Sequence, residues 1–409
     1  MGIKTTEGGV TAPKGFEAAG VEAGIKYQGR KDVALIYSTV PSRAAGVFTT
    51  NVVKAAPVLW DQKQVAESAY AQAVIINSGI ANACTGRQGR ERVEEQARHA
   101  AAALRIPESA VLVASTGVIG MQIPGEKIKE GIRRAAAAKG TGREAARSAA
   151  QAIMTTDTLP KEAAVSVEIG GKTVTIGGMC KGSGMIHPNM CTMLAFVTTD
   201  ACISKELLQK CLRHDVQDTF NMVSVDGDTS TNDTLLALAN GLAGNPEITR
   251  EDQDYDLFRK ALREVNTALA KQIAKDGEGA TALLQVTVKG AAAKEEARKL
   301  AKSVVCSSLT KAAIFGHDAN WGRILCALGY AGVSFDPENL DLSFQSEAGH
   351  IPIYGGGVAC GYSEEEAARI LSAPEVTVTV DMHMGTAEAT AWGCDLSYDY
   401  VKINADYRS

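Results

Sequence analysis

The chain has 409 residues, of which 45% are hydrophobic and 22% charged, a balance that excludes a disordered polymer and suffices for a large core. Its 42 Lys and Arg against 47 Asp and Glu give a net charge of −5, which argues against a broad nucleic-acid footprint. No run approaches the roughly 18 apolar residues of a membrane-spanning helix.

The N-terminal Met-Gly-Ile-Lys-Thr-Thr has no apolar signal core, and Gly2 with Thr6 matches only the loose myristoylation pattern. The expectation is an unlipidated cytoplasmic protein. Apolar runs at 33–37, 73–77 and 111–115 predict buried strands, with helices over 90–104 and 126–138 between them. Residues 164–169 and 173–176 flank Gly170-Gly171 and predict a hairpin. A strand is expected over 193–199, helices over 205–214, 251–275, 292–304 and 363–371, and late strands over 376–382 and 387–393. The fold class is therefore α/β, with mixed sheets and packed helices. No linker marks a boundary; two lobes are expected to meet near residue 200. The nine cysteines are scattered and never spaced C-x-x-C, so free thiols are expected rather than a zinc ribbon or a disulfide framework.

Chemistry concentrates at 180–199, CKGSGMIHPNMCTMLAFVTT. Gly182, Gly184 and a Pro-Asn pair turn the chain sharply into an apolar strand, with Thr192 at the joint. That is a place to hold a strained peptide bond. In VLVASTGVIG at 111–120 a strand runs into Ser115-Thr116-Gly117, whose hydroxyl and N–H groups suit an oxyanion. Lys181 is a cation suited to a substrate carboxylate. Read singly, these are also a β-branched strand residue, a strand-end turn and a surface lysine. Asp157, Asp226 and Asp228 read as turn caps, and His187, beside Pro188, as a residue that shapes its turn.

In combination the motifs closely resemble the ornithine acetyltransferase family, the glutamate N-acetyltransferases of arginine biosynthesis. The resemblance runs through INSGIANACTG at 76–86, STGVIG at 115–120, MTTDTLPK at 154–161 and KGSGMIHPNMCTMLAF at 181–196. It continues with SVDGDTSTNDT at 224–234, DGEGAT at 276–281, AIFGHDANWGRIL at 313–325 and NADYRS at 404–409. The resemblance implies a self-cleaving N-terminal-threonine acyltransferase of the ArgJ/DmpA-like type. It implies a cut between Cys191 and Thr192, giving an alpha chain 1–191 and a beta chain 192–409 that begins with the nucleophile. Thr116 and Gly117 are implied as oxyanion donors. Thr155, Lys181, Thr192, Glu278, Asn404 and Ser409 are implied as substrate contacts. The residue before the cut is usually alanine in this family and here is Cys191, which belongs to the leaving segment.

The reaction implied is transfer of acetyl from N2-acetylornithine to glutamate through an acetyl-threonine ester, without metal or organic cofactor. Acetyl-CoA is expected as a second donor, as in some family members, and a heterotetramer of two alpha and two beta chains as the assembly. The rival enzyme class is a self-processing amidohydrolase or aminopeptidase, which uses the same groups but passes the acyl group to water. A non-catalytic protein of the same fold is the rival outside enzymes.

Overall fold

A computed structural model describes residues 2–187 and 193–406. Cys191, Thr192 and Ser409, all named above, lie outside the described residues. The mixed α/β class is borne out, in two compact units.

The first unit comprises 1–182, 188–220 and 229–269. Its strands are β1 (Lys4–Thr5), β2 (Phe16–Val21), β3 (Val33–Phe48), β4 (Ala71–Asn77), β5 (Val111–Ser115), β6 (Lys161–Ile169), β7 (Lys172–Lys181) and β8 (Leu194–Thr199). After β9 (Val223–Ser224), which belongs to the other sheet, comes β10 (Thr234–Ala239). They pair in the order β1-β6-β7-β8-β10-β3-β4-β5, with β2 added beside β3. The helices are α1 (Ala56–Glu67), α2 (Gly86–Leu104), α3 (Gly125–Ala138), α4 (Arg143–Ala152), α5 (Lys205–Asp215) and the start of α6 (Gln253–Lys275).

The middle of this sheet is buried on both faces, which is why β4 carries the apolar run Ala73-Val74-Ile75-Ile76. Alternate residues divide between two cores. Ile36, Val74 and Leu112 join Ala146 and Ala150 of α4 on one side. Leu35, Ile75 and Val113 join Val93 of α2 and Ile132 of α3 on the other. The expected Gly170-Gly171 hairpin forms, with Ile169 opposite Lys172 and both glycines at positive φ.

The second unit comprises 183–187, 221–228 and 270–409. With β9 it holds β11 (Leu283–Ala291), β12 (Asp341–Ser346), β13 (Gly349–Gly355), β14 (Val358–Ala359), β15 (Glu375–Asp381) and β16 (Ala387–Cys394), ordered β14-β13-β12-β15-β11-β16-β9. Helix α7 (Lys294–Cys306) packs on β11 and β16. α8 (Ser308–Phe315), α9 (Trp321–Gly329), α10 (Glu364–Leu371) and α11 (Tyr398–Ala405) follow.

The compact units do not meet near residue 200; that position lies inside the first unit. The reason is pairing: β10 lies between β8 and β3 and holds the chain after residue 229 in the first sheet. Among the described residues no helix is long and apolar enough to cross a membrane, and the eight described cysteines are free.

Candidate active site

Two parallel strand ends build the turn at Ser115-Thr116-Gly117. β4 delivers Asn77 and β5 delivers Ser115 into facing loops, where the Ser115 hydroxyl donates to Asn77 Oδ1 at 2.7 Å. Asn77 Nδ2 donates to the Ile80 carbonyl at 2.9 Å, so this buried amide braces both loops. Asn232 closes the arrangement by donating to the carbonyls of Ala81 (2.6 Å) and Ser115 (2.8 Å). Gly117 sits at φ 128° with the Gly79 carbonyl carbon 2.2 Å from where a Cβ would stand, so no other residue fits there.

Thr116 spends its backbone N–H on the Asn77 carbonyl at 3.0 Å. Its hydroxyl oxygen accepts a long hydrogen bond, 3.4 Å, from the Lys181 ammonium. With the oxygen so occupied, the hydroxyl proton is left to be donated. The donor that Thr116 has to spare is therefore its hydroxyl, not its N–H.

Lys181 ends β7 and is 7% exposed. Around it the sequence places carboxylates whose role was not visible from spacing. Asp157 accepts from Lys161 Nζ at 2.7 Å, from the Gly182 N–H at 2.7 Å and from the Thr155 N–H at 3.0 Å. Burial pushes its pKa up, but the charges of Lys161 and Lys181 outweigh that and hold it down at about 2. Asp233 behaves oppositely: burial drives its carboxyl well above the ordinary range, against the weaker pull of the Ser230 hydroxyl and Lys181. Lys161 and Lys181 thus both act on Asp157, while Lys181 also acts on Asp233. Thr116, Gly117 and Lys181 are brought together, and Thr155 is tied to Lys181 through Asp157.

The second unit holds the other expected positions. The Glu278 N–H donates to the Ser183 carbonyl at 2.9 Å, and the Ser183 hydroxyl donates to the Asp276 carbonyl at 2.6 Å. A Cβ on Gly184 would stand 2.2 Å from the Glu278 carboxyl carbon. Gly184 is thus glycine because the carboxylate lies against its backbone. Asn404 on α11 donates to Glu278 Oε2 at 2.8 Å, bringing those two positions together.

Asp226, a residue to which the sequence assigned only a turn, accepts from the N–H groups of Met185 (2.6 Å) and Ile186 (2.9 Å). It holds Met185 in the left-handed region at φ 56°. His187 Nδ1 lies 3.1 Å from Ser224 Oγ and 3.4 Å from Cys306 Sγ. Burial, then the Lys302 charge, lowers its pKa to about 4, so at neutral pH it is an uncharged hydrogen-bonding ring.

A hydroxyl beside a buried ammonium, on a strand-end turn that only glycine can complete, is an arrangement compatible with an enzyme of acyl transfer. A family model described as the ArgJ family matches residues 17–409. The arginine biosynthesis bifunctional protein ArgJ of Symbiobacterium thermophilum is 56% identical over 404 residues, 98% of this chain and 99% of that protein. The protein of the same name from Caldanaerobacter subterraneus subsp. tengcongensis is 50% identical over 407 residues, the whole of both chains. Among solved structures, ArgJ from Bacillus halodurans shares 49% identity, covering 51% of this chain and 97% of that one, with a TM-score of 0.49. Ornithine acetyltransferase of Mycobacterium tuberculosis, complexed with ornithine, shares 43% identity, covering 46% and 99%, with a TM-score of 0.43. The chain belongs to the ArgJ family. It is an acyltransferase of arginine biosynthesis.

Proposed function

We propose that the chain cuts itself between Cys191 and Thr192 and that Thr192 then carries acetyl from N2-acetylornithine to glutamate. Family membership supports the reaction class. The observation that carries the reading is the Thr116 hydroxyl, which accepts from Lys181 and keeps its own proton for an oxyanion.

A threonine hydroxyl needs a base to become a nucleophile. The cut supplies one, because the new α-amino group of Thr192 has a reference pKa of about 7.7–8.0 and is partly neutral near pH 7. The amine takes the hydroxyl proton as Thr192 Oγ attacks the acetamide carbonyl carbon. The Thr116 hydroxyl and Gly117 N–H meet the negative oxygen. The carbon–nitrogen bond breaks, the proton passes to the leaving nitrogen, and ornithine departs from an acetyl ester. Glutamate reverses the sequence with its own amine and leaves as N-acetylglutamate. Lys181 takes the α-carboxylate that donor and acceptor share. Thr155, Glu278, Asn404 and Ser409 are the remaining substrate contacts. Acetyl-CoA serves as a second acetyl donor, in keeping with the word bifunctional in the relatives' names. The working assembly is a cytoplasmic heterotetramer of two 1–191 and two 192–409 chains.

A denaturing gel with N-terminal sequencing tests the cut. The 42.9 kDa chain is expected to give bands of about 20 and about 23 kDa, the larger starting Thr-Met-Leu. Thr192→Ala is expected to remain one uncut, inactive band, and Thr192→Ser to cut more slowly. Incubation with N-acetylornithine separates transferase from hydrolase: ornithine release should rise at least tenfold when glutamate is added. Equal release without glutamate would overturn the transfer reading.

A further inference from the structure

The first unit contains a second recess away from the oxyanion turn. A cavity of about 350 Å³ is lined by Arg43, Tyr70, Cys202, Asn240 and Glu247 together with small apolar residues, a size at the lower end of small-molecule sites. It opens where β8 and β10, a parallel pair in register from Leu194↔Thr234 to Thr199↔Ala239, reach their C-terminal ends. Carboxyl ends of adjacent parallel strands are where open α/β sheets leave crevices for ligands. A register shift between Tyr37 and Ser42 in the β3–β4 ladder loosens the neighbouring strand at the same place.

The walls are built rather than loose. Asn245, 5% exposed, accepts from the Cys202 N–H at 2.9 Å and donates back to the Cys202 carbonyl at 3.1 Å. The Ile248 N–H donates to the same carbonyl at 3.0 Å, which fixes Glu247 beside the recess. Arg43 stands opposite Ala239 in the β3–β10 ladder and so marks the other wall.

The two charges line one cavity, yet neither forms an ion pair or a side-chain hydrogen bond among the described residues. Both also act on the Cys202 thiol, which burial pushes up first, Glu247 pushes further and Arg43 pulls back. A cation and an anion that face one recess without touching leave a gap of net zero charge. Such a gap favours neither a simple anion nor a simple cation. It favours a small molecule carrying one charge of each sign.

We propose that this cavity binds a free α-amino acid as its zwitterion, with Arg43 on the carboxylate and Glu247 on the ammonium. The planar guanidinium meets a carboxylate with two parallel N–H groups. Tyr70 and the apolar wall face the side chain. The cavity is distinct from the transfer site: β8 runs from Leu194, two residues after Thr192 in sequence, to Thr199, two residues before the lining residue Ala201, about 17–20 Å of strand.

The test uses the full-length protein as it is made. A thermal-shift screen of L-α-amino acids other than glutamate and ornithine, which the transfer site itself takes, at millimolar concentration and with saturating N-acetylornithine present, selects the ligand for calorimetry. Arg43→Gln and Glu247→Gln are each expected to weaken that ligand at least tenfold, while kcat and KM for acetyl transfer stay within twofold of wild type. The N-acetyl and α-amide forms of the same amino acid, each lacking one charge, are expected to bind at least tenfold more weakly than the parent. The exchanged variant Arg43→Glu with Glu247→Arg, which keeps the net charge, is expected to recover part of the binding. The proposal fails if no amino acid binds the substrate-saturated enzyme, or if both single variants bind it as wild type does.

Discussion

Two aspartates do the same mechanical work in the two units and pay for it differently. In the first unit Asp157 receives the Gly182 N–H; in the second Asp226 receives those of Met185 and Ile186. Both pin backbone in the K-G-S-G-M-I stretch that leads to Thr192. Asp157 has Lys161 beside it and Lys181 within reach, and stays ionised with a pKa of about 2. Asp226 has backbone N–H donors, a side-chain hydrogen bond with Tyr400 and the like charge of Asp228, and burial raises its pKa. The lesson is that uncharged donors do not offset the desolvation of a buried carboxylate, whereas a buried ammonium does.

Breaking the charged pair should cost most. Asp157→Asn removes the carboxylate paired with Lys161, whose side chain is 2% exposed, and is expected to destabilise the fold by about 3–5 kcal/mol in denaturant titration. Replacing both partners with apolar residues, Asp157→Leu with Lys161→Met, should restore much of that stability and none of the activity. A double variant as unstable as Asp157→Asn would show that hydrogen bonds, not charge, hold this corner.

Next in size is the oxyanion donor. Thr116→Ala is expected to lower kcat by about 10²–10³ with the fold intact, and Thr116→Ser to recover most of it. An unchanged kcat in the alanine variant moves the role elsewhere.

Asp226→Asn removes one acceptor from a set of backbone donors and should cost about 1–3 kcal/mol. Its pH signature sharpens the contrast with Asp157. For Asp157 the folded pKa lies below the unperturbed 3.8, so its stabilisation is full above that pH and fades as pH falls toward 2. For Asp226 the folded pKa lies above 3.8, so the carboxyl favours folding most when protonated, and that share is lost as pH rises through the folded value. Stability differences from wild type, measured between pH 3 and 6, should therefore slope in opposite directions for the two asparagine variants.

The smallest effect belongs to His187. Its folded pKa of about 4 lies below the reference 6.5, so wild type loses stability as pH falls from 6.5 to 4 while the unfolded chain takes up a proton. His187→Gln should flatten that part of the curve. A curve unchanged by the substitution would place the acid sensitivity on other groups.

Much of the fold was legible because its signals are local. β5 occupies the expected residues 111–115, and α3 differs from its expectation by one residue. What stayed hidden has a physical cause in each case. α4 reads as alanine-rich filler because its four buried positions are all Ala, too small to mark a face. β3 runs on through Pro41, where a proline argues against a strand until the shift in the β3–β4 ladder accommodates it. At the site, Thr116, Gly117 and Lys181 were found because a strand end, a glycine turn and the family motifs coincide there. Asp157 and Asp226 were read as turn caps, and each does make a short-range bond, to Thr155 and Asp228. Their long-range bonds, to Gly182, Met185 and Ile186, join residues tens of positions apart, and no spacing announces them.

The strand order of the first sheet has a consequence for how such an enzyme can be made. β8 and β10, which lie after Thr192, are threaded between β7 on one side and β3 on the other, both of which lie before it. With the proposed cut before Thr192, the later piece would contribute to this sheet a two-strand wedge, both edges of which are ladders to the earlier piece. Neither product can leave without exposing two rows of unpaired N–H and C=O groups from the middle of a buried sheet. Dissociation is then the same event as unfolding. Under the proposed cut, an intact precursor carries the wedge into register within one chain and would serve as the template for its two pieces. Separately synthesised halves would each present bare strand edges before they met, and should aggregate before they assemble.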